Sequence, residues 1–394
     1  MSGTVGPSPG RGPVLKEEPV SESSESKRGL SRIIRAAAAR VPEPRVAQRF
    51  LNRLTHPLRV DDYSSLIYPL WSSRELRGEI VSVRREADDV VTLVIKPGWG
   101  ATPHYQPGQY LGIGVLLDGR WTWRSYSLTS APTSGRGEYS VTVKAMPEGL
   151  LSNHIVGTVE PGTIVRLAAP AGDFHLPSPT PERLMFVSAG SGITPMMGML
   201  RSLDRRSQDD GFPDVVHVHS VRTREDTLFH EELRELERTH PGYTMHLRVT
   251  SEDGRINAQQ MSELVPDWAE RPTWACGPSA MLDELTEHFD ATGRDDLHVE
   301  RFTINRDAGA SGGTVIYGST GKTVELDGAT TILEGGEKVG VQMPFGCRMG
   351  ICQTCVVPLE DGHVRDLRNG TDHGPGERIQ TCVSVALGTV ELTL

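Results

Sequence analysis

Cysteine is scarce in this chain: five residues in 394, four of them between positions 347 and 382. No secretory segment points to an oxidising compartment that would favour disulfides, because the opening MSGTVGPSPGRGP has no apolar stretch. A cytoplasmic location is therefore expected. No run of eighteen apolar residues occurs, so no segment is expected to span a membrane. Basic residues are outnumbered, 41 against 51 acids, for a net charge of −10. That excludes a generally basic surface for nucleic acid or membrane. What remains is ordinary for globular domains: 37% hydrophobic, 23% charged, and long enough for two to three of them.

Residues 1–73 lack the pattern of a folded core. The first 28 or so are rich in Gly, Pro, Ser and Glu and are expected to be disordered. Arg32, Arg35, Arg40, Arg45, Arg49, Arg53 and Arg59 then face a single acid, Glu43, and Ile33, Ile34, Phe50, Leu51 and Leu54 recur at helical spacing. Pro42 and Pro44 divide this arm into two short helices. Two readings stand: an arm packed on the folded part with its charges solvated, or a basic contact for an acidic partner or an anionic membrane, placing the protein at the inner membrane face.

Residues 74–180 read as an antiparallel β-barrel. RGEIVSVRREADDVVTLVIK gives two alternating strands with a turn at Glu86–Asp89, and YQPGQYLGIGV gives another. Within Arg124-Ser125-Tyr126-Ser127, an arginine can neutralise a phosphate, a tyrosine two residues along lies on the same face and can stack on a planar ring, and Ser127 can reach its polar edge. This run resembles the R-x-Y-S motif of the ferredoxin-NADP⁺ reductase superfamily. Gly149-Leu150-Leu151-Ser152 resembles that family's second phosphate contact, where helix N-terminal amides face an anion. The resemblance implies a flavin held by Arg124, Tyr126, Ser127, Lys144, Gly149, Leu150 and Ser152. Two phosphate contacts suit FAD, with FMN the alternative.

Residues 181–303 read as an α/β, Rossmann-like nicotinamide domain. LMFVSAGSGITPMMGML is strand, glycine turn and helix, with Gly190 and Gly192 allowing close approach of a pyrophosphate and Thr194-Pro195 opening the helix. The loop resembles the family's GxGxTP, and Cys276-Gly277-Pro278 its C-G-P motif. Tyr126, Thr194 and Cys276 are then expected to frame the reacting rings, with Gly277 beside them. Arg222 and Arg224 follow the strand VVHVHSV without an acid at its immediate end, which favours NADPH over NADH through a 2′-phosphate. The plainer alternative is solvated pairing with Glu225 and Asp226.

After a 304–313 linker, residues 314–394 read as strand, strand, helix, loop, strand, the β-grasp order. Cys347, Cys352 and Cys355 stand at C-x4-C-x2-C, with Cys382 beyond, the spacing of plant-type [2Fe–2S] ferredoxins. PFGCRMGICQTC resembles their cluster loop. Structural zinc is the alternative, and it usually pairs C-x2-C with a second such pair or with histidines.

The order flavin, nicotinamide, ferredoxin resembles the phthalate dioxygenase reductase-like branch. It implies a multidomain reductase passing electrons from NAD(P)H through flavin and cluster to a protein partner. WRSYSLTS and AGSGITPM are similar to reductases serving fatty acyl-CoA desaturases, so a desaturase or another membrane diiron monooxygenase is the expected acceptor. A cytochrome P450, a Rieske oxygenase, or a zinc-bearing docking domain on a flavoenzyme stay open. Nucleic acid is not an expected partner.

Overall fold

The computed structural model describes residues 70–71, 75–98, 104–117, 119–133, 137–147, 149–302, 310–345, 350, 353–368 and 370–394. The expectations for the disordered start, the arginine arm, most of the linker, Cys347 and Cys352 lie outside the described residues. Among the described residues, no helix is long and apolar enough to cross a membrane.

Six strands build the first domain: β1 (Arg77–Ala87), β2 (Val90–Pro97), β3 (Tyr110–Leu117), β4 (Arg120–Ser127), β5 (Tyr139–Lys144) and β6 (Ile164–Leu167). They pair antiparallel in the order β4-β3-β6-β1-β2-β5. A bridge between Leu128 and Val141, with Thr129 N–H donating to Ser140 O at 2.8 Å, brings the two outer strands together and closes the barrel. Ile80, Leu93, Ile95, Leu111, Ile113, Val141 and Val143 fill it. Helix α1 (Leu150–Thr158) adds Leu151 and Ile155 to the same core. The barrel thereby holds β4 as a rigid rail.

The second domain is a five-stranded parallel sheet of β7 (Arg183–Ala189), β8 (Asp214–Val221), β9 (Tyr243–Val249), β10 (Thr273–Cys276) and β11 (Leu297–Glu300) in the order β11-β10-β7-β8-β9. Helices α2 (Ile193–Asp210), α3 (His230–Thr239) and α4 (Ser279–Ala291) accompany it. Separate apolar cores, one around Phe186, Met196 and Leu200 and one around Met185, Val187 and Leu282, explain why the strands read as nearly continuous hydrophobic runs. The chain winds outward from β7 through β8 to β9, then returns to the other side of β7 as β10. That reversal puts a crevice beyond the carboxyl end of β7, the place where such sheets bind ligands.

One core also carries a buried polar chain, satisfied except at His219 Nε2, which has no partner. Ser188 Oγ lies 2.8 Å from His217 Nε2 and 2.7 Å from His219 Nδ1, and His217 Nδ1 lies 2.9 Å from the Tyr243 hydroxyl. Burial holds both imidazoles neutral at physiological pH, pushing His219 down to about 4.

The third domain pairs β12 (Gly313–Tyr317) with β13 (Lys322–Leu326) as a hairpin, so its first strand begins at the last residue of the expected linker. Helix α5 (Ile332–Lys338) follows, its start fixed by a capping box in which Thr331 and Glu334 satisfy each other's backbone amides. The strands β14 (Val356–Asp361), β15 (Val364–Asp366), β16 (Asp372–His373), β17 (Arg378–Gln380), β18 (Ser384–Ala386) and β19 (Val390–Leu392) complete it. Sheet order is β13-β12-β19-β14-β17, with the first and last strands parallel, the expected β-grasp pairing.

Candidate flavin, nicotinamide and cluster site

Strand β4 presents Arg124 and Tyr126 on one face and Ser125 and Ser127 on the other, because side chains alternate along a strand. The Ser125, Tyr126 and Ser127 hydroxyl oxygens are all buried and all without a hydrogen-bond partner. Burial pushes the Tyr126 phenol well above its ordinary range. Each such group costs about 1–3 kcal/mol unless something satisfies it. Three in succession on a rigid strand fit a ligand with a polar edge, which is what an isoalloxazine offers. The next residues behave differently: Thr129 bonds Ser140, and Ser130 bonds Tyr105.

The remaining flavin-side residues are more dispersed. The Arg124 guanidinium donates to Trp123 O at 2.8 Å, and Lys144 pairs with Asp89 at 3.3 Å. Gly149 precedes α1, whose N-terminus has no side-chain cap. Ser152 is occupied within this turn, accepting from Met146 N–H at 3.1 Å and donating to Gly149 O at 3.2 Å. Its hydroxyl shapes the turn, leaving the amides of the first turn as the donors an anion would meet. Leu150 is exposed.

On the nicotinamide side, β7 runs into the turn Gly190–Gly192 and then α2. Gly190 has φ +54°, and a Cβ on Gly192 would sit 2.1 Å from Cys276 O. Only glycine lets the loop lie on the end of β10. Thr194 Oγ1 donates to Ser191 O at 2.9 Å and is buried. Cys276 is fully buried, and burial pushes its thiol well above the usual range. Gly277 packs against Met281 and Ala189.

The parallel pairing of β10 with β11 sets Glu300 beside Cys276. Its Oε2 is buried without a partner, and burial pushes the carboxyl up to about 8. Burial thus favours the neutral form of this carboxyl. The motif reading missed Glu300, since it lies outside the family's motifs. The available signal was one acid at the end of a short strand whose Leu297 and Val299 pack on the core.

Arg222 and Arg224 follow β8 on the exposed surface. Arg224 pairs at 3.1 Å with Glu252, not with its sequence neighbours, while Asp226 caps Thr223. That pair is exposed on both sides and leaves the guanidinium available.

Helix α2 joins the two halves. Arg201 donates to Thr129 O at 2.7 Å and grips Glu232 through Nε and Nη2, each at 2.6 Å. Arg205 donates to Pro132 O at 2.6 Å, and Trp274 Nε1 donates to His175 O at 3.1 Å. The helix that follows the nucleotide loop is thus tied to the residues that follow Tyr126 and Ser127. Arg124, Lys144 and Gly149 have no direct bond to one another among the described residues.

In the third domain Cys355 and Cys382 are buried with Sγ atoms 3.2 Å apart, too far for a disulfide. Gly350 N–H donates to Cys382 Sγ at 3.2 Å. Converging sulfurs with an amide aimed at one of them suit thiolate ligation of a cluster.

A barrel with orphaned hydroxyls, a parallel sheet with a glycine loop at its switch point, and a β-grasp unit with converging cysteines define a modular flavin and iron–sulfur oxidoreductase. Residues 80–176 match the oxidoreductase FAD-binding domain, 186–287 the oxidoreductase NAD-binding domain, and 315–387 the 2Fe-2S iron-sulfur cluster binding domain. The chain is 54% identical over 363 residues to the NADPH oxidoreductase of Mycobacterium tuberculosis, covering 91% of this chain and 95% of that one. It is 29% identical to the ferredoxin reductase component of the 3-ketosteroid-9-alpha-monooxygenase of Mycolicibacterium smegmatis, covering 74% and 88%. Phthalate dioxygenase reductase, solved as a modular structure for electron transfer from pyridine nucleotides to [2Fe–2S], superposes with TM-score 0.58 at 25% identity, covering 81% of this chain and 98% of that one. The chain belongs to the phthalate dioxygenase reductase-like branch of the ferredoxin-NADP⁺ reductase superfamily. It is an oxidoreductase using NAD(P)H, FAD and a [2Fe–2S] cluster.

Proposed function

We propose that this reductase takes electrons from NADPH and delivers them singly to an oxygenase-type acceptor, a fatty acyl-CoA desaturase or another membrane diiron monooxygenase. The observation that carries the electron path is the orphaned run Ser125-Tyr126-Ser127, in a chain that also converges Cys355 and Cys382. Bound FAD supplies the conversion of a two-electron hydride into single electrons. Tyr126 and the flanking serines would hold its ring, with Arg124 and the α1 amides at its phosphates. Thr194 and Cys276 would frame the nicotinamide. Glu300, whose carboxyl burial pushes up, lies beside Cys276 at the end of the sheet. Cys347, Cys352, Cys355 and Cys382 would hold the cluster.

Support for NADPH comes from Arg222 and the weakly engaged Arg224, and from the name of the Mycobacterium tuberculosis relative. Replacing both arginines by alanine should lower kcat/KM for NADPH at least tenfold and leave NADH unchanged; an equal fall for both would refute the assignment. Support for the acceptor comes from the desaturase-reductase likeness of WRSYSLTS and AGSGITPM and from the arginine-rich arm. Related reductase components serve monooxygenases by name.

The decisive experiment is anaerobic NADPH titration of the full chain, read by visible absorption and EPR. A rhombic [2Fe–2S] signal should grow as the flavin bleaches. Flavin reduction without that signal would leave a flavoenzyme carrying a structural metal domain. Removing residues 1–60 should weaken reduction of a membrane acceptor while leaving dye reduction unchanged, and equal loss of both would remove the arm from the proposal.

A further inference from the structure

Gly350 is held by side chains that the cysteine spacing gives no hint of. Gly350 donates its amide to Cys382 Sγ, and its carbonyl accepts two side-chain bonds, from Arg368 Nη1 and from Gln380 Nε2, the latter at 2.8 Å. Gly350 has φ +70°, and a Cβ there would lie 2.7–2.9 Å from the Arg368 guanidinium. The glycine is therefore sandwiched between a ligand sulfur and a cation. Arg368 is fixed in turn by the buried carboxylate of Asp366, which accepts from Nε at 3.0 Å and from the Arg368 backbone N–H at 2.9 Å. Asp366 ends β15. The guanidinium thus hangs from a strand and is not part of the loop it grips. No sequence motif announces this, because Arg368 and Gln380 lie 18 and 30 residues beyond Gly350.

We propose that Arg368, with Gln380, is a positioning residue for the cluster: the pair clamps the Gly350 carbonyl so that the Gly350 amide stays on the Cys382 sulfur, and the clamp raises the cluster's midpoint potential. Reduction adds one electron, supplied through the flavin, and hence one negative charge to the iron–sulfur unit. An amide dipole and a nearby cation both favour the charged product. This inference rests on the [2Fe–2S] assignment, and metal analysis separates failure of that assignment from failure of the clamp.

The test uses full-length holoprotein and an EPR-monitored redox titration with dithionite and mediators, alongside iron and acid-labile sulfide analysis. R368Q should retain two irons and two sulfides per chain and titrate at a more negative midpoint, with the flavin potential unmoved. R368K should fall between R368Q and the parent. The double variant R368Q/D366N separates the clamp from a simple unpaired carboxylate: a midpoint that stays low supports the clamp, and one that returns to the parent value overturns it. An unchanged midpoint in cluster-replete R368Q also overturns it. Should R368Q load no cluster, Q380L carries the test, since it removes the neutral donor and leaves the Arg368–Asp366 pair. A lowered Q380L midpoint supports the proposal and an unchanged one defeats it. Zinc in place of iron and sulfide would instead remove the cluster assignment beneath it.

Discussion

Strand β4 of the barrel and strand β8 of the parallel sheet both bury polar side chains, yet they do so in opposite ways. On β4, the hydroxyls of Ser125, Tyr126 and Ser127 are buried and unsatisfied. On β8, His217 and His219 are buried and joined through Ser188 to each other, with Tyr243 closing one end and His219 Nε2 alone left open at the other. Buried polar atoms that satisfy one another hold a fold together; buried polar atoms left open hold a place for something else. The contrast separates a site from a core using the same residue types.

The largest effect expected of this contrast is at Tyr126. Tyr126→Ala should weaken flavin retention by about tenfold or more, a loss of ~1.4 kcal/mol or greater, while the melting temperature of the flavin-free protein changes little. Flavin content after desalting and a thermal melt measure the two halves. On β8 the pattern should invert: His217→Ala should cost about 3 kcal/mol of stability, because it opens a cavity and strands the Tyr243 hydroxyl, with flavin content unchanged. A His217 variant that loses flavin at unchanged stability would erase the distinction.

Glu300 sharpens the comparison through pH. Burial pushes its folded carboxyl up to about 8 from an ordinary 4.5, so the folded state binds the proton more tightly than the unfolded chain does. Its contribution is fully present below about 4.5 and is lost as pH rises towards 8. Glu300→Gln should therefore flatten the decline in melting temperature between pH 5 and 9. Parallel curves for parent and variant would place the carboxyl in water. The smallest effect belongs to Ser125→Ala, which should leave stability within about 0.5 kcal/mol and loosen the flavin a few-fold by fluorescence titration.

Much of this was legible before any coordinates. The alternation of RGEIVSVRREADDVVTLVIK, the glycine turn after LMFVSA and the C-x4-C-x2-C spacing are local patterns, and local patterns survive in one dimension. What the sequence hid depends on pairing between distant segments. Glu300 meets Cys276 only because β11 lies beside β10 in parallel register, and Arg368 meets Gly350 only through the turn after β15. HVH on β8 gave no sign that its histidines were core, because their partners sit on β7 and β9. The Arg224–Glu252 pair was hidden for the same reason, as Glu252 comes from the segment after β9.

Helix α2 also says something about how the protein is made. Ribosomes deliver the barrel strands first, and N-terminal domains begin folding while the rest is being synthesised. The carbonyls of Thr129 and Pro132 meet Arg201 and Arg205, 72 and 73 residues further on, and the Leu128 carbonyl lies against Gly198. The nascent flavin half therefore waits, with its rim unfinished, for a helix that belongs to the next domain.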